Sequence, residues 1–417
     1  MRALMRPTAA IVIAVPLVAQ QLPSELASVA PFMADHRSER EKVAIGDTEI
    51  AVTLTVPADA DPGDVAALWS ATRAALTRLD AWLGPFPAPA LNVIDTPWPA
   101  GVAGASHPGV VVTSTRWLTT SRDPAVERRL LAAVARQYTF SVASPGDAHA
   151  PFEEGLALYL GTRLIHEQLH SRNFDTPRFF GGFLPFSVRS VLNSRQPEDP
   201  RPQLQHLADV EMPADAPWRA ASAAPRAPAQ RIAQLLQTFE RHVGWPTFQQ
   251  VLENFFRRYR GRAATPADLA AVASEVIGHD VSGFFGPAIV AGNEVDYVLV
   301  ELRNDADDGR VTTTVVVRRD GVELPVVGGV PLLVRFADGA EIVERVNAHE
   351  VEQTFVYRGA ARAIVASVDP DAVLVIDANR ENNTKTIEPR TDLIGVRLAL
   401  NWIVWLQDAM LAHTGLL

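Results

Sequence analysis

The sequence predicts an α+β protein: a mostly helical domain, then an all-β sandwich, then an apolar helix at the carboxyl end. Three observations predict it. Through 61–287, apolar residues recur mainly at helical spacing. From Glu294 the period drops to that of strands, with about eight short Val-rich segments separated by turns. Over 393–417 the chain is mostly apolar and contains Trp402 and Trp405.

A chain of 417 residues holds about two or three domains and buries a large core. The net charge is -10 and there is no basic stripe, which argues against nucleic acid as a main partner. With no Cys there is no disulfide and no thiolate metal site.

In order, Met1 to Arg6 carries Arg2, Arg6 and no acid, and 7–19 is apolar apart from Thr8. This is the layout of a signal peptide or signal anchor over 1–21. It is short for a spanning helix, which needs about 20 apolar residues. The alternative is a buried amino-terminal helix. Residues 22–60 read as a linker and a short β-hairpin. The stretch 20–40 is polar and irregular, and 43–56 alternates around Gly46-Asp47.

The helical domain is expected over 61–292. Its first helix spans 61–83 with Asp64 as cap, and Gly84-Pro85-Phe86-Pro87 ends it. Strands follow at 91–94 and 110–113, then helices from Asp123 to Tyr138 and from Phe152 to His170. An aromatic-Gly turn lies at 179–183. Loops and short helices fill 193–228, and helices span 229–243, 246–259 and 266–276.

The sandwich is expected over 293–390. Its strands are 297–302, 311–317, 322–327, 331–336, 341–346, 353–357, 363–368 and 372–376, a pattern of immunoglobulin or fibronectin type. Residues 304–309 read as a hairpin turn. Glu381-Asn382-Asn383, within 377–385, has oxygens of the kind that hold a cation, though a polar loop is the commoner use. In 391–417, Arg397, Asn401 and Asp408 share one helical face. Such a helix lies in the membrane interface, spans the membrane, or docks on the protein itself.

The candidate chemistry sits in 130–160. It reads Leu-Leu-Ala-Ala-Val-Ala-Arg-Gln-Tyr-Thr-Phe, a polar loop, then Phe-Glu-Glu-Gly-Leu-Ala-Leu-Tyr-Leu. Gln137-Tyr138 and Glu154-Gly155-Leu156-Ala157-Leu158-Tyr159-Leu160 resemble the membrane alanyl aminopeptidase family of gluzincin zinc peptidases. The resemblance implies a thermolysin-like helical domain and, often, a following β-sandwich. In that family HExxH precedes the Gln-aromatic pair, and the Glu of the second motif is the third zinc ligand.

Here Ala132 and Arg136 stand at the two zinc histidines, Ala133 stands at the catalytic Glu, and Glu154 remains. Ala has no lone pair, and Arg brings a fixed positive charge and no acceptor. Arg136 and Glu154 are expected to pair as a salt bridge instead. Gly104-Ala105-Ser106-His107-Pro108-Gly109 is similar to the family's Gly-Met-Glu-Asn-Pro-Gly strand. Ser106 stands at the Glu that binds a substrate's amino terminus. Ala229-Gln230-Arg231-Ile232-Ala233 takes the place of Tyr-x-Lys-Gly-Ala, so Ala229 replaces the oxyanion-stabilising Tyr. The family's large amino-terminal β-domain is nearly missing. The reading is a degenerate, inactive member with no metal or other cofactor.

A rival motif is His166-Glu167-Gln168-Leu169-His170, a literal HExxH with Glu167 as general base and zinc on His166 and His170. Glu154 is not its third ligand if it shares this helix, because twelve residues of helix span roughly 18 Å. His206, Asp209 and Glu211 are the remaining candidates.

Three functions follow. The first is an inactive envelope protein that binds a peptide or membrane-protein partner and meets the membrane through its terminal segments. The second is an active zinc metallopeptidase at His166–His170. The third is a structural component of a membrane assembly.

Overall fold

The computed structural model describes residues 11–13, 35–46, 48–95, 106–113, 124–142, 150–171, 228–289, 294–307, 309–326 and 328–387. The expected turn at 179–183, the loops of 193–227, and the apolar segment 391–417 lie outside them. Among the described residues no helix is long and apolar enough to cross a membrane. The chain gathers into two compact units, residues 1–177 with 249–265, and residues 178–248 with 266–417.

The first unit starts from a hairpin. Strands β2 (His36–Ile45) and β3 (Thr48–Pro57) pair antiparallel, with Ile45 opposite Thr48 and Gly46 at positive φ in the turn. The hairpin is longer than the sequence suggests, because His36 to Arg40, read as linker, already pair with β3. Ile50, Val52, Leu54 and Val56 alternate inward. Ile11–Ile13 forms β1, antiparallel to Ser38, Glu39 and Arg40. At these three residues the structure has a strand where a buried helix was an expected alternative.

Helix α1 (Pro62–Leu83) is capped by Asp61, whose carboxylate accepts from Gly63 N at 2.7 Å. Asp64, the expected cap, lies one turn further in. Pro62 explains the difference, since Pro suits the first helical position and leaves the residue before it to cap. Leu68, Leu76, Leu79 and Leu83 are buried, each contributing roughly 1.5–3 kcal/mol of transfer free energy.

Strands β4 (Ala90–Asp95), β5 (Ser106–His107) and β6 (Val110–Thr113) complete a sheet of order β1-β2-β3-β4-β6-β5. The β3–β4 and β4–β6 pairs are parallel. A parallel pair needs a crossover connection, and α1 supplies it between β3 and β4. Helices α2 (Pro124–Thr139) and α3 (Ala150–Ser171) follow, with α2 against β5, β6 and α1, and α3 against α2.

Helices α4 (Pro228–Val243), α5 (Trp245–Tyr259), α6 (Pro266–Ile277) and α7 (Ser282–Ile289) match the expected spans within two residues, α7 being additional. In the second unit Phe239 of α4 contacts Phe248, Phe284 and Phe285 at ring separations of 5.4, 5.1 and 4.8 Å.

The β-region is two facing antiparallel sheets. One holds β7 (Val295–Asp307), β8 (Arg310–Gly321) and β11 (Glu352–Gly359), in order β11-β8-β7. The other holds β9 (Val330–Phe336), β10 (Glu341–Val346), β12 (Ala363–Val368) and β13 (Thr384–Thr386), in order β10-β9-β12-β13. Val330, Leu332, Val334 and Phe336 alternate into the core.

Four expectations are corrected here. Residues 322–326 are not a strand, because Gly321 at positive φ ends β8 and Pro325 has no N–H to give a ladder. Residues 372–376 are not a strand either. Asp369 and Ala372 take positive φ, and the Asp369 carboxylate accepts from Val373 N and Leu374 N. Ile376 N donates to Thr238 Oγ1, and Arg241 donates to Ala372 O. The apolar run is buried against α4 rather than paired in a ladder. The turn expected at 304–309 is narrower, since β7 continues to Asp307. Asn304 bonds Ala363 N and O across to the second sheet. The polar loop at 377–385 contains a 3₁₀ turn (Arg380–Asn382) and then β13, which pairs with β12.

Gly321 is fixed by space as well as by φ. A Cβ there would lie 1.9 Å from Glu294 O, which accepts Val322 N at 2.7 Å. Gly321→Ala is expected to lower stability by about 3 kcal/mol, read as a reduced urea midpoint.

Candidate functional site

The helix pair α2–α3 beside the β5–β6 edge is where the sequence motifs converge. Burial on α2 divides the motif by helical phase. Ala133, Gln137 and Tyr138 are buried, whereas Ala132, Arg136 and Phe140 form a half-buried stripe at i, i+4, i+8.

Gln137 explains one part of the resemblance. Its amide nitrogen donates to Ser106 Oγ (2.5 Å), His107 O (3.1 Å) and Val110 O (3.2 Å), and its amide oxygen accepts Gly109 N at 2.7 Å. Ser106 Oγ donates to Ala133 O at 3.1 Å. Ser106 is thus tied to the helix backbone. Tyr138 packs edge-on against Phe86 at 5.5 Å, and its buried hydroxyl has no hydrogen-bond partner. Burial pushes the pKa of that phenol up.

The Arg136 guanidinium does pair with a carboxylate, but with Glu153 at 3.4 Å rather than with Glu154. Thr139 Oγ1 donates to the other Glu153 oxygen, and the guanidinium lies 5.4 Å from the Phe140 ring centroid. Glu154 is exposed, as is Leu158 one turn later. The reason is the phase of α3. Glu153, Leu156, Ala157, Leu160 and Leu164 are buried, so the neighbour of Glu153 turns outward.

Beside Arg136 the two helices touch. A Cβ at Gly161 would lie 2.8 Å from Ala132 Cα and 3.0 Å from Ala132 Cβ. Of the positions the resemblance gives to zinc, Ala132 offers a methyl group against α3, Arg136 an ion-paired cation, and Glu154 a solvent-facing carboxylate. This donor set does not fit a zinc ion, which needs about three converging N, S or O donors. Ala229 is buried in the first turn of α4, in the second unit.

The rival motif lies on α3. The side chains of His166 and His170, and residues 206, 209 and 211, fall outside the described residues. Glu167 is described, and it is ion-paired with Arg78 at 3.5 Å and Arg163 at 3.7 Å. Among the described residues no three His, Asp or Glu side chains converge as metal ligands do. Sequence reasoning missed Glu153, Thr139 and Gly161. The signal for Glu153 was present in its i, i+4, i+7, i+11 spacing with Ala157, Leu160 and Leu164.

No protein-family model matches this chain. No curated protein matches it either. Among solved structures it is similar to aminopeptidase A of Legionella pneumophila, crystallised in complex with aspartic acid. The TM-score is 0.51 at 16% identity, over 80% of this chain and 37% of that one. A mutant of an M1 zinc metallopeptidase from Deinococcus radiodurans aligns with a TM-score of 0.39 at 17% identity, over 61% of this chain and 52% of that one. The first likeness shows that this chain shares the fold of the matched part of that aminopeptidase. The chain covers about a third of the length of the Legionella enzyme.

Gln137→Leu leaves Gly109 N and two strand carbonyls without their partner. It is expected to cost about 3 kcal/mol in urea unfolding. Tyr138→Phe keeps the ring and removes an unsatisfied hydroxyl, so its unfolding midpoint is expected to equal or exceed the wild-type value.

Proposed function

We propose that this protein is a catalytically inactive relative of zinc aminopeptidases that works by binding a peptide or membrane-protein partner at the cell envelope. The observation that carries the reading is the α2–α3 contact. The face that would present zinc ligands holds the Ala132–Gly161 packing and the Arg136–Glu153 pair instead. Two neutral imidazoles and a general base are what metal-assisted peptide hydrolysis needs. Ala132, Arg136 and Ala133 supply none of them. Ser106, bonded to Ala133 O, supplies no carboxylate for a substrate amino terminus. The protein binds no zinc and needs no cofactor in this reading. Its apolar segment 391–417 attaches it to the membrane in this reading; the amino-terminal segment is not called on for that, because Ile11–Ile13 pair with β2 in the sheet.

The test is the zinc content of untagged full-length protein after dialysis against trace zinc. Less than about 0.1 equivalent is expected, with no aminopeptidase activity on amino-acid arylamides. About one equivalent of zinc that disappears in a His166→Ala, His170→Ala double variant would overturn the proposal and make the HExxH of α3 a metal centre.

A further inference from the structure

We propose that strand β11 is a dimer interface: the β11 strands of two copies of this chain pair antiparallel about Phe355 and join their three-stranded sheets into one. The inference does not depend on the loss of a zinc site.

β11 is an edge strand, bonded to β8 on one side only. Folded proteins block such edges with a bulge, a Pro, a Lys or a covering contact, because free N–H and C=O groups invite another strand. The opposite edge of the same sheet is blocked in this way. β7 is bulged between Leu299 and Glu301, Lys385 Nζ donates to Val300 O at 2.7 Å, and Ala378 N donates to Val295 O at 2.8 Å. β11 has none of these devices. It holds register with β8 from Glu352 to Gly359 without a break and contains neither Pro nor Lys. Val356, near its middle, is 54% exposed, and Val351, just before it, is 60% exposed. Ile342 and Val343 are exposed on β10, and Asn347, the residue after β10, is bonded to Gln353 of β11 at 2.9 and 2.8 Å. Among the described residues the one other large exposed apolar side chain is Leu158, in the first unit.

Hydrogen-bond phase says which register a second β11 would take. Arg319 N donates to Val351 O at 2.7 Å, across the ladder just before β11. Bonded and non-bonded positions alternate along an antiparallel pair. The main-chain groups of Gln353, Phe355 and Tyr357 therefore face β8, and those of Glu352, Thr354, Val356 and Arg358 face outward. An antiparallel copy of the strand uses all four in one register alone. Glu352 then lies opposite Arg358 and Thr354 opposite Val356, with Phe355 on the two-fold axis. Each pair exchanges two bonds, so the junction makes about eight. Phe355 meets its symmetry mate at a non-bonded position, where facing side chains come closest.

Charge selects the same register. It sets Glu352 of each copy against Arg358 of the other, and opposite charges facing across strands attract. Within one copy, Glu352 faces Arg318 of β8, which Asp320 already holds at 2.7 and 3.0 Å, and Arg358 faces Thr312. The edge of the other sheet, β10, is shorter, and its Glu341 is tied to Arg335 at 2.8 Å. The self-complementary strand is β11, so the occupant it fits is a second copy of itself.

The experiment is sedimentation velocity of untagged full-length protein in a nonionic detergent, over about 1–100 µM. A dimer is expected for the wild type. Glu352→Arg and Arg358→Glu each set like charges across the junction at both symmetry-related pairs, and each should raise the dimer Kd by at least about tenfold. Mixing the two single variants in equal amounts restores opposite charges at both pairs. The mixture should therefore dimerise like wild type, although neither component does so alone. A wild type that stays monomeric up to about 100 µM would overturn the proposal and leave β11 to a segment of the same chain or to a different protein. A dimer that neither single variant weakens would overturn it by placing the contact on another surface. A mixture that stays monomeric would overturn it too, because the variants would then act through the fold and not across the strands.

Discussion

The amide of Gln137 reaches four groups at once, three on the β5–β6 turn and one on Ser106. The short β5 strand has only two residues, and β6 only four. Strands this short have little ladder of their own, so the helix supplies what the sheet edge lacks. Ser106 returns a bond to Ala133 O, which closes a loop of polar contacts between the two elements. That loop sets the height of α2 on the sheet. The depth of Tyr138 under Phe86 and the position of the Arg136 stripe follow from it.

A helix pair can be held together by a metal or by packing. Here the described contacts are packing and charge. Gly161 admits Ala132 at backbone distance, and a carboxylate at the start of α3 meets a guanidinium on α2. The Glu153 side chain is 11% exposed and that of Arg136 35%. The pair is thus sheltered on one side, and Thr139 gives the acid a further donor. Such an arrangement holds its geometry without an ion, and its half-exposed stripe of Ala132, Arg136 and Phe140 presents one cation beside an aromatic ring.

Where apolar periodicity is strong, the sequence and the structure agree. The helices at 228–243, 245–259 and 266–277 have stripes such as Val251, Leu252 and Phe255, and their spans were legible. The strand at 330–336 was legible because every second residue is apolar. Val-rich composition alone misled at 322–327 and 372–376. There the fate of the backbone N–H groups decides: in 372–376 they go to the side chain of Asp369, four and five residues upstream, and to that of Thr238, which lies far away in sequence. At the site, Gln137 was legible as a motif letter but its bonding was not, since its partners are about thirty residues upstream. The choice between Glu153 and Glu154 turned on helical phase, which the motif match set aside. Asp377 accepts from Tyr297 N, eighty residues upstream, and only the fold brings them together.

The first unit is built from two separated stretches of chain, 1–177 and 249–265. The later stretch is not trimming: Val251, Leu252, Phe255 and Phe256 are fully buried, and Phe255 meets Phe152 edge-on at 6.3 Å. No single cleavage of the chain therefore releases this unit whole. On the ribosome the consequence is a delay. At ordinary elongation rates, on the order of 10 s separates residue 177 from residue 265. Throughout that interval Phe152 and its neighbours on α3 lack their final cover. Vectorial synthesis thus leaves an apolar face open long enough for a chaperone to be useful, a need inherent in how this unit is threaded rather than in how stable it becomes.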